Sequence, residues 1–205
     1  MRIRDGKAPV VKGIWTAALA LASCFLTSAE SRGETSVNPG HSMAWSEFAK
    51  TTYVVSGMRE HPKSVIYAFF DPNCGYCHFL WLALRPYEAA GLQVRWVPVG
   101  ILGEDSLIKA AAVIDGGDPV LTELQENFEG RFQMRFGVTG ALKTQLDDNL
   151  ELMHAAQVHG TPGIFYKDSA GHVMKCSGMP KLRALPAITG LPIQPEPDPR
   201  LNRFR

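Results

Sequence analysis

The run Ser64-Val65-Ile66-Tyr67-Ala68-Phe69-Phe70 is apolar, β-branched or aromatic after its first residue. A strand with no polar alternation is one buried on both faces, so its sheet must carry a layer on either side. Directly behind it stands Asp71-Pro72-Asn73-Cys74-Gly75-Tyr76-Cys77-His78, a turn followed by a helical pattern that reaches Ala90 and stops at Gly91. Pro86 inside that pattern should kink or split the helix. Gln93 to Val99 reads as the next strand, which makes the unit β-α-β with parallel strands. A Cys pair is thereby placed at the end of a buried strand and at the start of a helix.

Further along, Asp105 or Ser106 can cap a helix over Leu107 to Ile114. Asp118-Pro119 supplies a cap and a first-turn proline for Val120 to Phe128. A third helix near Thr139 to Gln157 puts Leu142, Leu146, Leu150 and Met153 on one stripe. After Gly160-Thr161-Pro162, two strands are expected, Gly163 to Lys167 and His172 to Ser177, joined by a hairpin turn. A short helix near Lys181 to Ala187 follows. The order β-α-β, helical insertion over about 104–157, then β-β-α is that of an α/β thioredoxin fold, expected to occupy 61–190. Residues 30–60 read as a linker, with a helix expected over Met43 to Val55 despite the Thr and Val residues that weaken it. The tail 191–205, with four prolines, reads as disordered.

The N-terminus has the pattern of an export signal. Arg2, Arg4, Lys7 and Lys12 oppose Asp5 alone, an apolar run extends from Gly13 to Leu26, and Thr27-Ser28-Ala29 offers small residues for cleavage. The run is shorter than the roughly 20 residues that span a bilayer as a helix. A cleaved signal over 1–29, and so a periplasmic location, is the expectation, with an uncleaved anchor as the alternative. Leu21-Ala22-Ser23-Cys24 also resembles a lipobox, but Phe25-Leu26 continue the apolar run where a lipoprotein turns polar. Cleavage removes four positive charges and one negative, taking the formal net charge from +1 to −2. Neither value provides the basic footprint of a nucleic-acid binder. With 45% hydrophobic and 20% charged residues the chain is no disordered polymer.

Cys-x-x-Cys serves either metal binding or redox chemistry. A structural zinc takes four ligands, usually from two such pairs, and no second pair exists here. The redox reading fits the position. Free N–H groups and the dipole at a helix start stabilise a thiolate, so Cys74 is the candidate nucleophile. Cys77, one turn on, is placed to resolve a mixed disulfide. No cofactor is expected beyond the redox-active Cys74–Cys77 disulfide. Thr161-Pro162 precedes a hairpin that should lie opposite the pair. A cis proline there leaves room beside the sulfurs, and the preceding backbone can pair with a substrate strand.

At this point the chain resembles the bacterial periplasmic disulfide isomerases of the DsbC/DsbG type, nearest the DsbG branch, from roughly Trp45 to Gly178. The resemblance rests on Phe70 to Cys77 followed by Trp81, on Arg85-Pro86, on Val97-Pro98-Val99-Gly100, on Asn149 to Met153 and on Thr161-Pro162. It implies a nucleophilic Cys74, a resolving Cys77, and substrate contacts at Thr161 and Pro162. It implies partners of two kinds: exported, cysteine-containing proteins and a membrane redox protein. Thioredoxin carries a buried acid six residues before its first Cys; Ala68 stands there in this chain, and Asp71 reads as a turn residue. The isomerases also carry an N-terminal dimerisation domain, for which the residues before the first core strand leave no room. A monomer is therefore expected. Two other functions use the same features: a non-catalytic peptide-binding chaperone, and a metallochaperone holding a metal on the pair. Cys176 is expected to be a buried core residue, and His159 to lie on a surface loop.

Overall fold

A central strand explains the architecture. In the computed structural model, which describes residues 43–103, 105–130, 137–196 and 198–205, strand β2 (Ser64–Phe70) lies in the middle of a five-stranded sheet. The sheet order is β1 (Val54–Gly57), β3 (Leu92–Pro98), β2, β4 (Gly163–Lys167) and β5 (Val173–Ser177). β2 and β3 are parallel, and every other neighbouring pair is antiparallel. The targeting segment 1–29, with Cys24, lies outside the described residues.

Both faces of β2 are covered, as its composition requires. Ile66, Ala68 and Phe70 point to one side and pack with Leu80, Leu84 and Tyr87 of helix α2 (Gly75–Ala89). Tyr67 and Phe69 point to the other side. There they meet Phe165, Phe48 of the short helix α1 (Trp45–Phe48), and Met153 of α4 (Gly140–Ala155). Phe48 and Phe165 stand with ring centroids 4.3 Å apart. Each fully buried aromatic contributes about 2–3 kcal/mol of apolar burial, so this layer is a main source of stability.

Three expectations are corrected. The helix over Met43 to Val55 exists only as α1. Val54 and Val55 instead open β1, which pairs with β3 and carries the sheet into the stretch read as linker. Two β-branched residues beside an open sheet edge gain more from pairing than from a helix. Pro86 does not split α2, which runs through it to Ala89. The proline lies in the last turn, and Leu84 and Tyr87 on either side are held by the core. The two expected insert helices are present: the stretch α3 (Ser106–Glu126) is broken at Gly117 by a backbone of φ 67° and ψ −152° that favours glycine, so one helix ends there and a second starts at Asp118-Pro119.

The third correction is the tail. Pro199–Phe204 forms a 3₁₀ turn, and Asp198 caps it by accepting a bond from the Arg200 N–H at 2.9 Å. Leu201 and Phe204, three residues apart and so on one side of the turn, are buried in the core beside α2. Two apolar anchors outweigh a proline-rich composition. The last helix is a 3₁₀ turn, Leu182–Ala184, running into α5 (Leu185–Thr189).

Candidate active site

Strand β2 ends at Phe70, and the next four residues form a tight connection that aims Cys74 at the start of α2. Cys74 N–H donates to Asp71 O at 3.0 Å, and Cys74 O accepts from Cys77 N and His78 N at 3.0 and 3.1 Å. Cys74 is the N-cap of α2, with extended φ and ψ. Its sulfur accepts the Cys77 N–H at 3.2 Å, as a capping oxygen would.

Asp71 makes this connection rigid. It is completely buried, and both carboxylate oxygens are used. Oδ1 accepts from Asn73 N (2.8 Å) and Ser106 Oγ (2.9 Å); Oδ2 accepts from Ile101 N (2.6 Å) and Leu102 N (3.0 Å). Asn73 adds a second tie. Its amide donates to Asp105 and Ser106, and its carbonyl oxygen accepts from Lys109 at 2.7 Å. The reading of Asp71 as a turn residue thus stands, but its reach across to the start of α3 was not visible. No local pattern pairs residues 30 positions apart.

The loop before β4 faces the pair. The Thr161-Pro162 bond is cis. Thr161 O accepts from the Cys74 thiol at 3.3 Å, and Pro162 O accepts from Gly178 N at 2.7 Å, which anchors the loop to the end of β5. The Thr161 hydroxyl is buried and lies outside hydrogen-bond geometry with any neighbour among the described residues, yet it favours the ionised form of both sulfurs. All four residues expected at the site, Cys74, Cys77, Thr161 and Pro162, are therefore brought together.

The two sulfurs differ sharply in acidity. The Cys74 thiol is brought down from 9.0 to about 6, chiefly by its hydrogen bond with Cys77, which overcomes the opposing effect of burial; Thr161 and the amides of Cys77 and Tyr76 add to the lowering. At neutral pH roughly nine-tenths of such a group is thiolate. Cys77 moves the opposite way. Deeper burial raises it well above 9.0, and the neighbouring Cys74 adds to the rise. The arrangement therefore sets a sulfur that is largely thiolate beside one that stays protonated, within a helical turn.

Cys176, fully buried on β5 and opposite Ile164, is pushed up to about 11 by burial alone and behaves as a core residue. His159 is exposed. His78 had no nameable partner in the sequence; the structure gives it Gln125 and Arg200. Among the described residues no cluster of three or more His, Cys, Asp or Glu side chains is arranged to hold a metal ion.

The geometry has counterparts in known proteins. A family model described as "Thioredoxin-like domain" matches residues 55–185. The chain is 33% identical over 150 residues to thiol:disulfide interchange protein DsbG of Pseudomonas aeruginosa, covering 71% of this chain and 58% of that protein. It is 28% identical over 151 residues to DsbG of Escherichia coli K12, covering 71% and 60%. The match thus spans about three fifths of the length of these curated relatives. Among solved structures, ScsC of Proteus mirabilis in a compact conformation superposes with a TM-score of 0.55 at 18% identity, covering 75% of this chain and 80% of that one. A periplasmic thioredoxin-like protein of Salmonella enterica serovar Typhimurium superposes with a TM-score of 0.54 at 18% identity, covering 72% and 96%.

Proposed function

The chain belongs to the thioredoxin-like family, and from that membership we propose that it is a DsbG-like thiol–disulfide oxidoreductase acting on exported, cysteine-containing proteins. The observation that carries this reading is the opposite displacement of the two sulfurs, Cys74 toward thiolate and Cys77 toward thiol, beside the Thr161-Pro162 loop. A binding module has no use for such a separation. The periplasmic setting is supported by the basic and apolar N-terminal segment and by the DsbG names of the relatives.

In the reductive direction, the Cys74 thiolate attacks one sulfur of a substrate disulfide. The S–S bond breaks, the departing substrate sulfur takes up a proton, and Cys74 is left in a mixed disulfide. Cys77 gives up its proton and attacks the Cys74 sulfur, releasing the second substrate thiol and closing the Cys74–Cys77 disulfide. Two electrons pass from protein to substrate, and the reverse sequence oxidises a dithiol. A membrane redox protein would restore the starting state. Thr161 is assigned the backbone contact to the substrate strand, and cis Pro162 the clearance that lets it approach.

The test is exchange with a disulfide-bonded peptide under a glutathione buffer. Cys74→Ser is expected to abolish exchange, and Cys77→Ser to accumulate a mixed disulfide through Cys74. Exchange that persists in Cys74→Ser would overturn the proposal. The same equilibrium gives the potential, with about −120 mV marking an oxidant and about −270 mV a reductant.

A further inference from the structure

His78 follows Cys77 directly, and its backbone N–H donates to Cys74 O at 3.1 Å, so it stands one turn along α2 from the reactive sulfur. Its ring is buried in a slot. Phe128 lies parallel to it at 4.6 Å and 11°, and Trp81 at 6.3 Å and 16°. Nδ1 stands 3.1 Å from Gln125 Oε1, and Nε2 stands 3.4 Å from Arg200 Nη1. The amide oxygen can only accept and the guanidinium can only donate. The two contacts therefore select one form of the ring, protonated at Nδ1 and bare at Nε2. A second proton at Nε2 would set two N–H groups against each other.

Arg200 is itself fixed. Asp198 Oδ1 accepts from Arg200 N and Nε at 2.9 and 3.0 Å, and Oδ2 accepts from Nη2 at 2.6 Å. The turn that carries both is pinned by buried Leu201 and by Phe204, whose ring lies 5.3 Å from Phe79 and 6.4 Å from Tyr76. The C-terminal turn thus grips the first two turns of α2 and presents one donor to one nitrogen.

We propose that Arg200 is a positioning residue for the Cys74–Cys77 pair: it fixes His78 as the neutral Nδ1–H imidazole and prevents a histidine cation from forming one turn along α2 from Cys74. The proposal deepens the oxidoreductase reading and rests on it for its functional consequence. The groups around His78 show why a fixed cation is needed there. Glu126 and Glu129, from the end of α3 and just beyond it, line one pocket with His78 and Arg200, and Asp198 of the C-terminal turn adds its charge to the field on the ring. Asp198 and Glu129 favour protonation of His78, whereas burial and Arg200 oppose it. With Arg200 in place, the acidity of Cys74 is set by Cys77, the Thr161 loop and the amides at the helix start, and does not follow a titrating histidine.

The experiment compares the full wild-type chain with Arg200→Gln, Arg200→Lys, and Arg200→Gln combined with His78→Phe. It reads two quantities across pH: the carbon and nitrogen chemical shifts of the His78 ring, and the thiolate absorbance of the reduced protein. In the wild type, His78 should remain Nδ1-protonated and neutral through the range near pH 6.5 where a free histidine titrates. In Arg200→Gln it should take up a proton at higher pH. The thiolate-to-thiol ratio of Cys74 below its midpoint should then rise about threefold, a fall of about half a pKa unit. Arg200→Lys should restore the wild-type shifts. In the His78→Phe background the Arg200 substitution should leave the ratio unchanged, which excludes a direct effect of the guanidinium. Identical His78 titrations in wild type and Arg200→Gln would overturn the proposal, as would a threefold rise that survives without His78. The ring shifts decide it even if the chain exchanges no disulfides, an outcome that would count against the proposed function alone.

Discussion

Cys74 and Cys77 are separated by one helical turn, and that is enough to divide their acidities. The first caps the helix and receives an amide N–H; the second is buried within it. The folded Cys74 titrates at about 6 against 9.0 unperturbed. A depressed acid contributes stability fully present above the unfolded value and lost as pH falls through the folded one. The reduced protein should therefore gain stability relative to the oxidised form as pH rises from about 6 to about 9. Above that window the raised Cys77 opposes the trend. Denaturant midpoints of the two forms across pH check this, and parallel curves would contradict it. Asp71 makes a second residue-scale prediction. Asp71→Ala strands the amides of Ile101 and Leu102 and the Ser106 hydroxyl, and should cost about 3 kcal/mol in chemical denaturation.

At the scale of elements, the site is a meeting of two strand ends. β2 delivers Cys74 and β4 follows Pro162 at once, so the gap between them is set where Gly163 enters the sheet. Gly163 pairs with Phe69 and Ser177, and a Cβ there would stand 2.5 Å from Val158 Cγ1. Val158 is fully buried and cannot retreat. Gly163→Ala should cost about 1–3 kcal/mol in urea unfolding and displace the Thr161 carbonyl from Cys74. Much at this scale was legible. The apolar run of β2, the cysteines after it and the Thr-Pro before a hairpin located the site because each is a local signal. β1 was not legible, since four residues carry no period of their own and acquire a strand only from β3. Asn149 is a similar case. It lies fully buried on a helix and bonds Thr52 N, Thr52 O and Pro98 O at 3.0, 2.9 and 3.0 Å, tying α4 to the segment before β1 and to the end of β3 by contacts a linear pattern does not show.

Across the molecule, the C-terminal turn is the feature furthest from what composition suggests. Four prolines in 191–205 argue for a free tail, yet Leu201 and Phe204 close the core beside the cysteine helix. Full burial of two such side chains is worth about 3–6 kcal/mol. Removing residues 199–205 should lower the unfolding free energy by an amount of that order, measured by urea titration; an unchanged midpoint would restore the free-tail reading. The grip of Arg200 on His78 was illegible for the same reason as the Asp71 clamp. It joins residues 122 positions apart, and only the folded chain puts them in contact.

The proposed function stands on Cys74 as the reactive sulfur and Cys77 as its protected partner. Alkylation of the reduced protein across pH, with the modified cysteine identified by peptide mass, tests it most directly. Modification is expected at Cys74 with a midpoint at about pH 6 while Cys77 stays protected. A midpoint near the unperturbed thiol value of 9.0, or modification of Cys77 first, would overturn that assignment.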